Sequence, residues 1–522
     1  MSNFERVPKS GDLHLSRRQL LRLGGATAAL TLAGCTLPSP PSPILSTPMP
    51  AQQGQQGASP SLDLDVQLTA SPGQAGILPG AETPVWQYQG QMINGDSTQL
   101  QALPDSYLGP LFRVRRGQNV GVTFINDTDE ESIVHWHGLH VPPEADGHPK
   151  YVVGPGERYR YQFTVPNRAG TYWYHPHPHR LTGPQVYRGL AGLFIVHDEE
   201  EAAFGLPTGE QDVPLVLQDR TFDRENRLVY LPNGQMDRMN GMLGDLILVN
   251  GQPDFALDVA AQPYRLRLLN GSNARIYKLA WSDDTPMTVI GSDGGLLEAP
   301  HQKPYVTLAP GERVELWADF SRYEVGASLQ LRSLAFDAGG MGMMGGMMGG
   351  GTYLPNGAPF PILTVNVARA GETGATLPAQ FATIERYQEQ SAANAGNPTV
   401  YELAMQQMTW TLNGRTFAMT DVADNEIVDL GSLQIWEFAN LGGMMGGMGR
   451  GGMGMGMSMP HPVHVHNTQF QVLERIIDPA FQSQWQSLAD GFVDTGWKDT
   501  VLVSPGERVR VALRFEDFTG LY

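Results

Sequence analysis

Apolar and charged residues alternate along Val509-Arg510-Val511-Ala512-Leu513-Arg514-Phe515, a run with the two-residue period of a β-strand. It follows a turn, Pro505-Gly506-Glu507-Arg508. The same four residues stand at Pro155 to Arg158 and Pro310 to Arg313, each ahead of another strand-like run. Upstream of each turn is an Asn-Gly pair, at Asn94-Gly95, Asn250-Gly251 and Asn413-Gly414, so the three prolines follow their asparagines by 61, 60 and 92 residues. Three copies of one β domain are the economical explanation. No long amphipathic helical pattern interrupts them, which predicts an all-β chain whose domains span 63–205, 211–370 and 378–522.

Composition agrees with this organisation. A chain of 522 residues exceeds one hydrophobic core. Its hydrophobic fraction of 41% suffices for several cores, while 61 glycines, 39 prolines and a charged fraction of 17% favour loop-rich β structure. With 35 basic against 53 acidic residues the formal charge is -18, which argues against a nucleic-acid partner and is compatible with metal cations. Cys35 is the only cysteine, so the chain forms no intramolecular disulfide and no cysteine-based zinc site.

That cysteine sits in a segment with a different purpose. Ser16-Arg17-Arg18-Gln19-Leu20-Leu21-Arg22 resembles a twin-arginine leader, the apolar run to Leu32 is too short to span a bilayer, and Leu32-Ala33-Gly34-Cys35 resembles a lipobox. Residues 1–35 are therefore expected to direct export, with membrane attachment through a lipidated Cys35 in the periplasm or another extracytoplasmic space. The Pro, Ser and Gln-rich stretch 36–62 cannot bury enough apolar surface to fold and reads as a tether.

Candidate chemistry lies in the histidines. In an extended strand the side chains of residues i and i+2 share a face, so His464 and His466 in His461-Pro462-Val463-His464-Val465-His466 present two imidazoles to one site, leaving His461 for a site nearby. His135-Trp136-His137 and His175-Pro176-His177 repeat the pairing, so six of thirteen histidines are in paired spacing. The first and third domains carry the pairs and the middle one only His301, so the site is expected where the first and third meet, with the middle domain as spacer or substrate-side domain.

Together with Gly170-Thr171-Tyr172-Trp173-Tyr174, Gly189-Leu190-Ala191-Gly192 and Trp497-Lys498-Asp499-Thr500, these motifs resemble the three-domain multicopper oxidases of the bacterial laccase-like and copper-efflux type, from about Trp86 to Tyr522. The resemblance implies three consecutive cupredoxin-like Greek-key β-sandwiches and four coppers in a complete enzyme. It assigns His135 and His464 to the type-2 copper, His137, His175, His177 and His466 to the type-3 pair, and His461 to the type-1 copper. It also matches Asp146 to an acidic residue that assists proton delivery, although Ala145-Asp146-Gly147 reads equally well as a turn. The family's fourth motif, His-Cys-His with a further His and usually a Met, is absent from the sequence. From Pro155 the first domain reaches His175 after 20 residues, and the same step from Pro505 falls at position 525, so the native protein is expected to continue past Tyr522 into that motif.

Met341 to Met348 and Met444 to Met459 hold twelve of the 22 methionines in Gly-rich surroundings. Thioether sulfur is a soft ligand that favours Cu(I), so Met444, Met445, Met455, Met457 and Met459, with Asp337 beside the first run, are candidate ligands of a substrate Cu(I); a low-complexity loop without ligands is the plain alternative. The expected function is a copper-dependent oxidase that takes electrons one at a time from Cu(I) or phenolic donors and reduces dioxygen to water, with a part in copper handling. The alternative is a non-enzymatic copper-buffering lipoprotein.

Overall fold

Each Pro-Gly-Glu-Arg turn closes on itself in the same way. The glutamate carboxylate accepts the backbone N–H three residues earlier, from Gly154 to Glu157 at 3.0 Å, Ala309 to Glu312 at 2.7 Å and Ser504 to Glu507 at 2.7 Å. Between them Gly156, Gly311 and Gly506 take φ of 78°, 83° and 72°, the left-handed region that a side chain disfavours. Three identical turns then feed three topologically identical strands. The computed structural model describes residues 61–339, 354–372, 374–406, 409–441 and 459–522. The leader with Cys35, and Met444, Met445, Met455 and Met457, lie outside the described residues.

The strand following each turn pairs antiparallel with a strand that is itself parallel to the first long strand of its copy. In the first copy Leu64–Ala75 runs parallel to Asn119–Asn126, which pairs with Arg158–Thr164. The second repeats this with Asp212–Arg220, Pro263–Asn270 and Arg313–Asp319, and the third with Thr399–Gln406, Leu433–Asn440 and Glu507–Arg514. Each Asn-Gly stands at the end of the strand that pairs antiparallel with the first strand of its copy, with the Asn94, Asn250 and Asn413 amides donating to the carbonyls of Leu62, Pro214 and Val400. A second sheet accompanies each of the three, giving an all-β chain of cupredoxin-like sandwiches.

Strand alternation decides what reaches the core and what is left for chemistry. In Val134–His137 the indole of Trp136 points into the first core, packed on Phe112, Tyr161, Phe163, Tyr174 and Phe194, so His135 and His137 must take the opposite face. The neighbouring strand Gly170–Pro176 pairs His135 with His175 and His137 with Trp173, setting His175 on that same outward face. In Glu507–Arg514, Val509, Val511 and Leu513 fill the third core while Arg508 and Arg510 turn to Glu437.

One expectation needs correction. The strand carrying the last histidine motif covers only His461–His464, paired with Thr500–Val503, rather than continuing to His466. Asn467, at φ 58°, turns the chain, and its side-chain oxygen accepts the Val141 N–H at 2.9 Å, fastening the third sandwich to the first. His464 and His466 still converge, with ring centroids 5.0 Å apart, because the turn bends the chain over the same site.

Candidate metal centre

Six imidazoles from the first and third sandwiches meet. His135 Nε2 lies 3.4 Å from His464 Nε2, and His137 Nδ1 lies 3.4 Å from His175 Nε2. The rings of His135 and His466 stack at 3.9 Å, those of His137 and His464 at 3.6 Å, and His177 borders the cluster with its ring 5.0 Å from His466. Three sets have ligand atoms within 4.8 Å of one another: His135 with His464 and His466, His135 with His137 and His175, and His137 with His464 and Asp499.

Five of the six rings are tethered through one nitrogen, which leaves the other as an inward-facing lone pair. His135 Nδ1 donates to the Asp146 carbonyl at 2.7 Å, His466 Nδ1 to the Asp146 carboxylate at 2.8 Å, His464 Nδ1 to the Asp499 carbonyl at 2.7 Å and His175 Nδ1 to the Pro176 carbonyl at 2.9 Å. His137 is turned the other way, its Nε2 donating to the Thr500 hydroxyl at 3.0 Å and the Asp499 carboxylate at 3.2 Å. Carbonyls and carboxylates can only accept, so the tethered nitrogen carries the proton and the free one is a ligand. The buried Nδ1 of His177 has no hydrogen-bond partner.

Electrostatics keeps these rings ready for a cation. Burial, reinforced by neighbouring imidazoles, holds His137, His175, His177 and His464 well below the ordinary histidine range and lowers His135, so all are neutral at pH 7. Burial opposes the charge of Asp146, yet His466 and His135 hold its carboxyl well below the usual range. Asp499 behaves alike, with Arg313 outweighing the burial. A set of neutral nitrogens backed by two buried carboxylates fits Cu(I) or Cu(II).

His461 stands apart. Its ring meets the Trp410 ring at 4.5 Å, its buried Nε2 has no hydrogen-bond partner, and burial pushes its pKa down to about 4. The sequence's single cysteine is Cys35, so among the described residues no thiolate accompanies it. Met459 is half-buried two residues away, its carbonyl bonded by Asn440. Asp337 is exposed and its carboxylate caps its own turn, accepting the Gly339 N–H at 2.9 Å. His140, His148, His179, His197 and His301 lie outside all three ligand sets.

Sequence reasoning named Asp499 and Thr500 only as part of a motif and Arg313 only as part of a turn. Their roles arise from contacts across more than 180 residues of chain. The middle sandwich is therefore more than a spacer, because Arg313 Nη1 reaches Asp499 at 2.7 Å.

The paired sandwiches and converging imidazoles define a cupredoxin-type metalloprotein. Residues 85–201 and 393–522 match family models described as multicopper oxidase. A protein named Multicopper oxidase mco from Staphylococcus haemolyticus is 30% identical over 418 residues, 80% of this chain and 77% of its own length. The crystal structure of McoA multicopper oxidase from Aquifex aeolicus superposes with a TM-score of 0.69 at 33% identity, covering 87% of this chain and 90% of that one. Cell division protein FtsP from Edwardsiella tarda is 36% identical over a shorter stretch of 314 residues, 60% of this chain and 61% of its own length. The chain belongs to the multicopper oxidases, and it is a copper-dependent oxidoreductase rather than a simple copper buffer.

Proposed function

We infer that the protein couples one-electron oxidation of Cu(I) or phenolic donors to reduction of dioxygen. The observation that carries this reading is the convergence of six imidazoles from two sandwiches, five with one nitrogen tethered and the other free. In this reading His135 and His464, with Nε2 atoms 3.4 Å apart, hold the type-2 copper. His137, His175, His177 and His466 serve the type-3 pair, and His461 the type-1 copper. Bound copper supplies the one-electron steps that sum to the four-electron reduction of dioxygen to water.

The protein's own groups orient and protonate. Asp146 fixes His135 through its carbonyl and His466 through its carboxylate, and in this reading its buried Oδ1, 3.4 Å from His135 Nδ1, passes protons toward the cluster. Cu(I) as a donor rests on the methionine runs, of which Met459 leads into His461. A role in copper handling follows if Cu(I) is the better donor. The twin-arginine motif and Cys35 support export and lipid anchoring in the same reading, and Cys35→Ser is expected to shift the protein from the membrane fraction to the soluble one.

The test is oxygen uptake by copper-loaded protein supplied with Cu(I) or a phenol. Uptake that disappears in His135→Ala/His464→Ala is the expected result. Copper bound without oxygen uptake from either donor would overturn the oxidase reading for this chain.

A further inference from the structure

The three copies of the Pro-Gly-Glu-Arg turn use their glutamates identically and their arginines differently. Arg158 is exposed, and Arg508 is half-buried with its guanidinium 3.4 Å from Glu437. Arg313 is wholly buried, and its donors are committed. Nε donates to the Thr171 carbonyl at 2.9 Å, Nη1 to the Gly311 carbonyl at 2.9 Å and the Asp499 carboxylate at 2.7 Å, and Nη2 to the Asp293 carbonyl at 3.0 Å and the second Asp499 oxygen. The fork therefore grips Asp499 from both sides, in the planar geometry that only arginine offers.

Asp499 in turn holds two rings of the cluster. Its carbonyl accepts from His464 Nδ1, and its carboxylate accepts from His137 Nε2 and from the Thr500 hydroxyl at 2.9 Å. Gly138 is part of the same fit, because a β-carbon there would run into Asp499 and Arg313. The chain of contacts thus runs from a turn of the middle sandwich, through one carboxylate, to one histidine of the first sandwich and one of the third.

We propose that Arg313 is a positioning residue for the copper cluster, through which the middle sandwich sets the orientation of His137 and His464. This rests on the copper reading of the cluster. The guanidinium fork holds both Asp499 oxygens, so its loss leaves the carboxylate free to rotate off His137 Nε2. That rotation removes the acceptor that keeps the His137 proton on Nε2 and its Nδ1 free. Asp499→Asn should then produce the same defect as loss of the arginine.

The experiment is a copper titration of full-length wild type, Arg313→Met, Asp499→Asn and the double variant against a competing chelator. It is paired with Cu(II) electron paramagnetic resonance and circular dichroism. Each single variant is expected to weaken copper binding at the cluster by about 10- to 100-fold and to change the Cu(II) spectrum. The double variant should be no weaker than the worse single one. Arg313→Lys, which keeps the charge and loses the fork, covers the case in which Arg313→Met does not fold, and it should show the same spectral change with a smaller loss of affinity. Folded variants with wild-type affinity and spectrum, or a double variant whose losses multiply, would overturn the proposal. Wild type that takes up no copper at the cluster would instead overturn the reading beneath it.

Discussion

Replacing Asp146 separates the two rings it holds. Its carboxylate accepts from His466 and its backbone carbonyl from His135, so Asp146→Ala removes the first bond, together with a longer 3.4 Å approach of Oδ1 to His135 Nδ1, and leaves the 2.7 Å carbonyl bond. The lost bond is 2.8 Å long and joins a half-buried ring to a fully buried, ionised acceptor, and such bonds contribute about 1.5–3 kcal/mol. An outer partner of a metal-binding histidine typically accounts for 10- to 100-fold in metal affinity, or roughly 1.4–2.7 kcal/mol. The two routes agree, so copper held through His466 should bind about 10- to 100-fold more weakly, while copper held through His135 should change little. Asp146→Asn retains a neutral acceptor and should fall at the lower end. Chelator competition combined with spectra that resolve the copper sites measures this difference. Folded Asp146→Ala binding all its copper within about threefold of wild type, or weakening every site equally, would refute the reasoning.

Other outcomes follow from the same structure. Burial lowers His461 from 6.5 to about 4, so below pH 6.5 the unfolded chain binds a proton that the folded one refuses. Stability is then complete above that value and falls with pH, by about 3 kcal/mol at pH 4 from this residue alone. The thermal midpoint of the metal-free protein should accordingly drop between pH 7.5 and 5, and a flat profile would contradict the burial argument. Trp136→Ala should cost about 3–5 kcal/mol as a core cavity and also lower copper uptake, since the indole holds its strand so that both flanking histidines face outward; urea unfolding and metal analysis check the pair. Gly138→Ala combines a φ of 85° with a collision at Asp499, and should lower both the thermal midpoint and copper content. Lys498→Met leaves the buried Asp293 and Glu312 carboxylates, at 2.9 and 3.0 Å from the ammonium, without their cation, a loss of about 3–5 kcal/mol visible in urea unfolding.

What the sequence made legible was local. The Pro-Gly-Glu-Arg turns carry their meaning within four residues, because glutamate, glycine and proline each satisfy a short-range requirement. The His-x-His pairs could be read because strand alternation is a property of neighbouring residues. The tethers could not be read, because their identity depends on which carbonyl or carboxylate the fold brings alongside each ring. Asp146 is eleven residues from His135 and 320 from His466, yet it serves both. Arg313 looks in sequence like Arg158 and Arg508, and only the packing of the middle sandwich against the other two distinguishes it.

The division of the cluster between the ends of the chain also has a temporal side. His177 and His466 are separated by 289 residues, and translation at about 5–20 residues per second takes roughly 15–60 s to cover that distance. During that interval a nascent chain displays His135, His137, His175 and His177 without their partners. Such an open half-site offers imidazoles that suit Zn(II) as well as copper, before the third sandwich closes over it. The order of synthesis therefore gives the ribosome-bound chain a window of exposure to the wrong metal, and the last sandwich to emerge ends it.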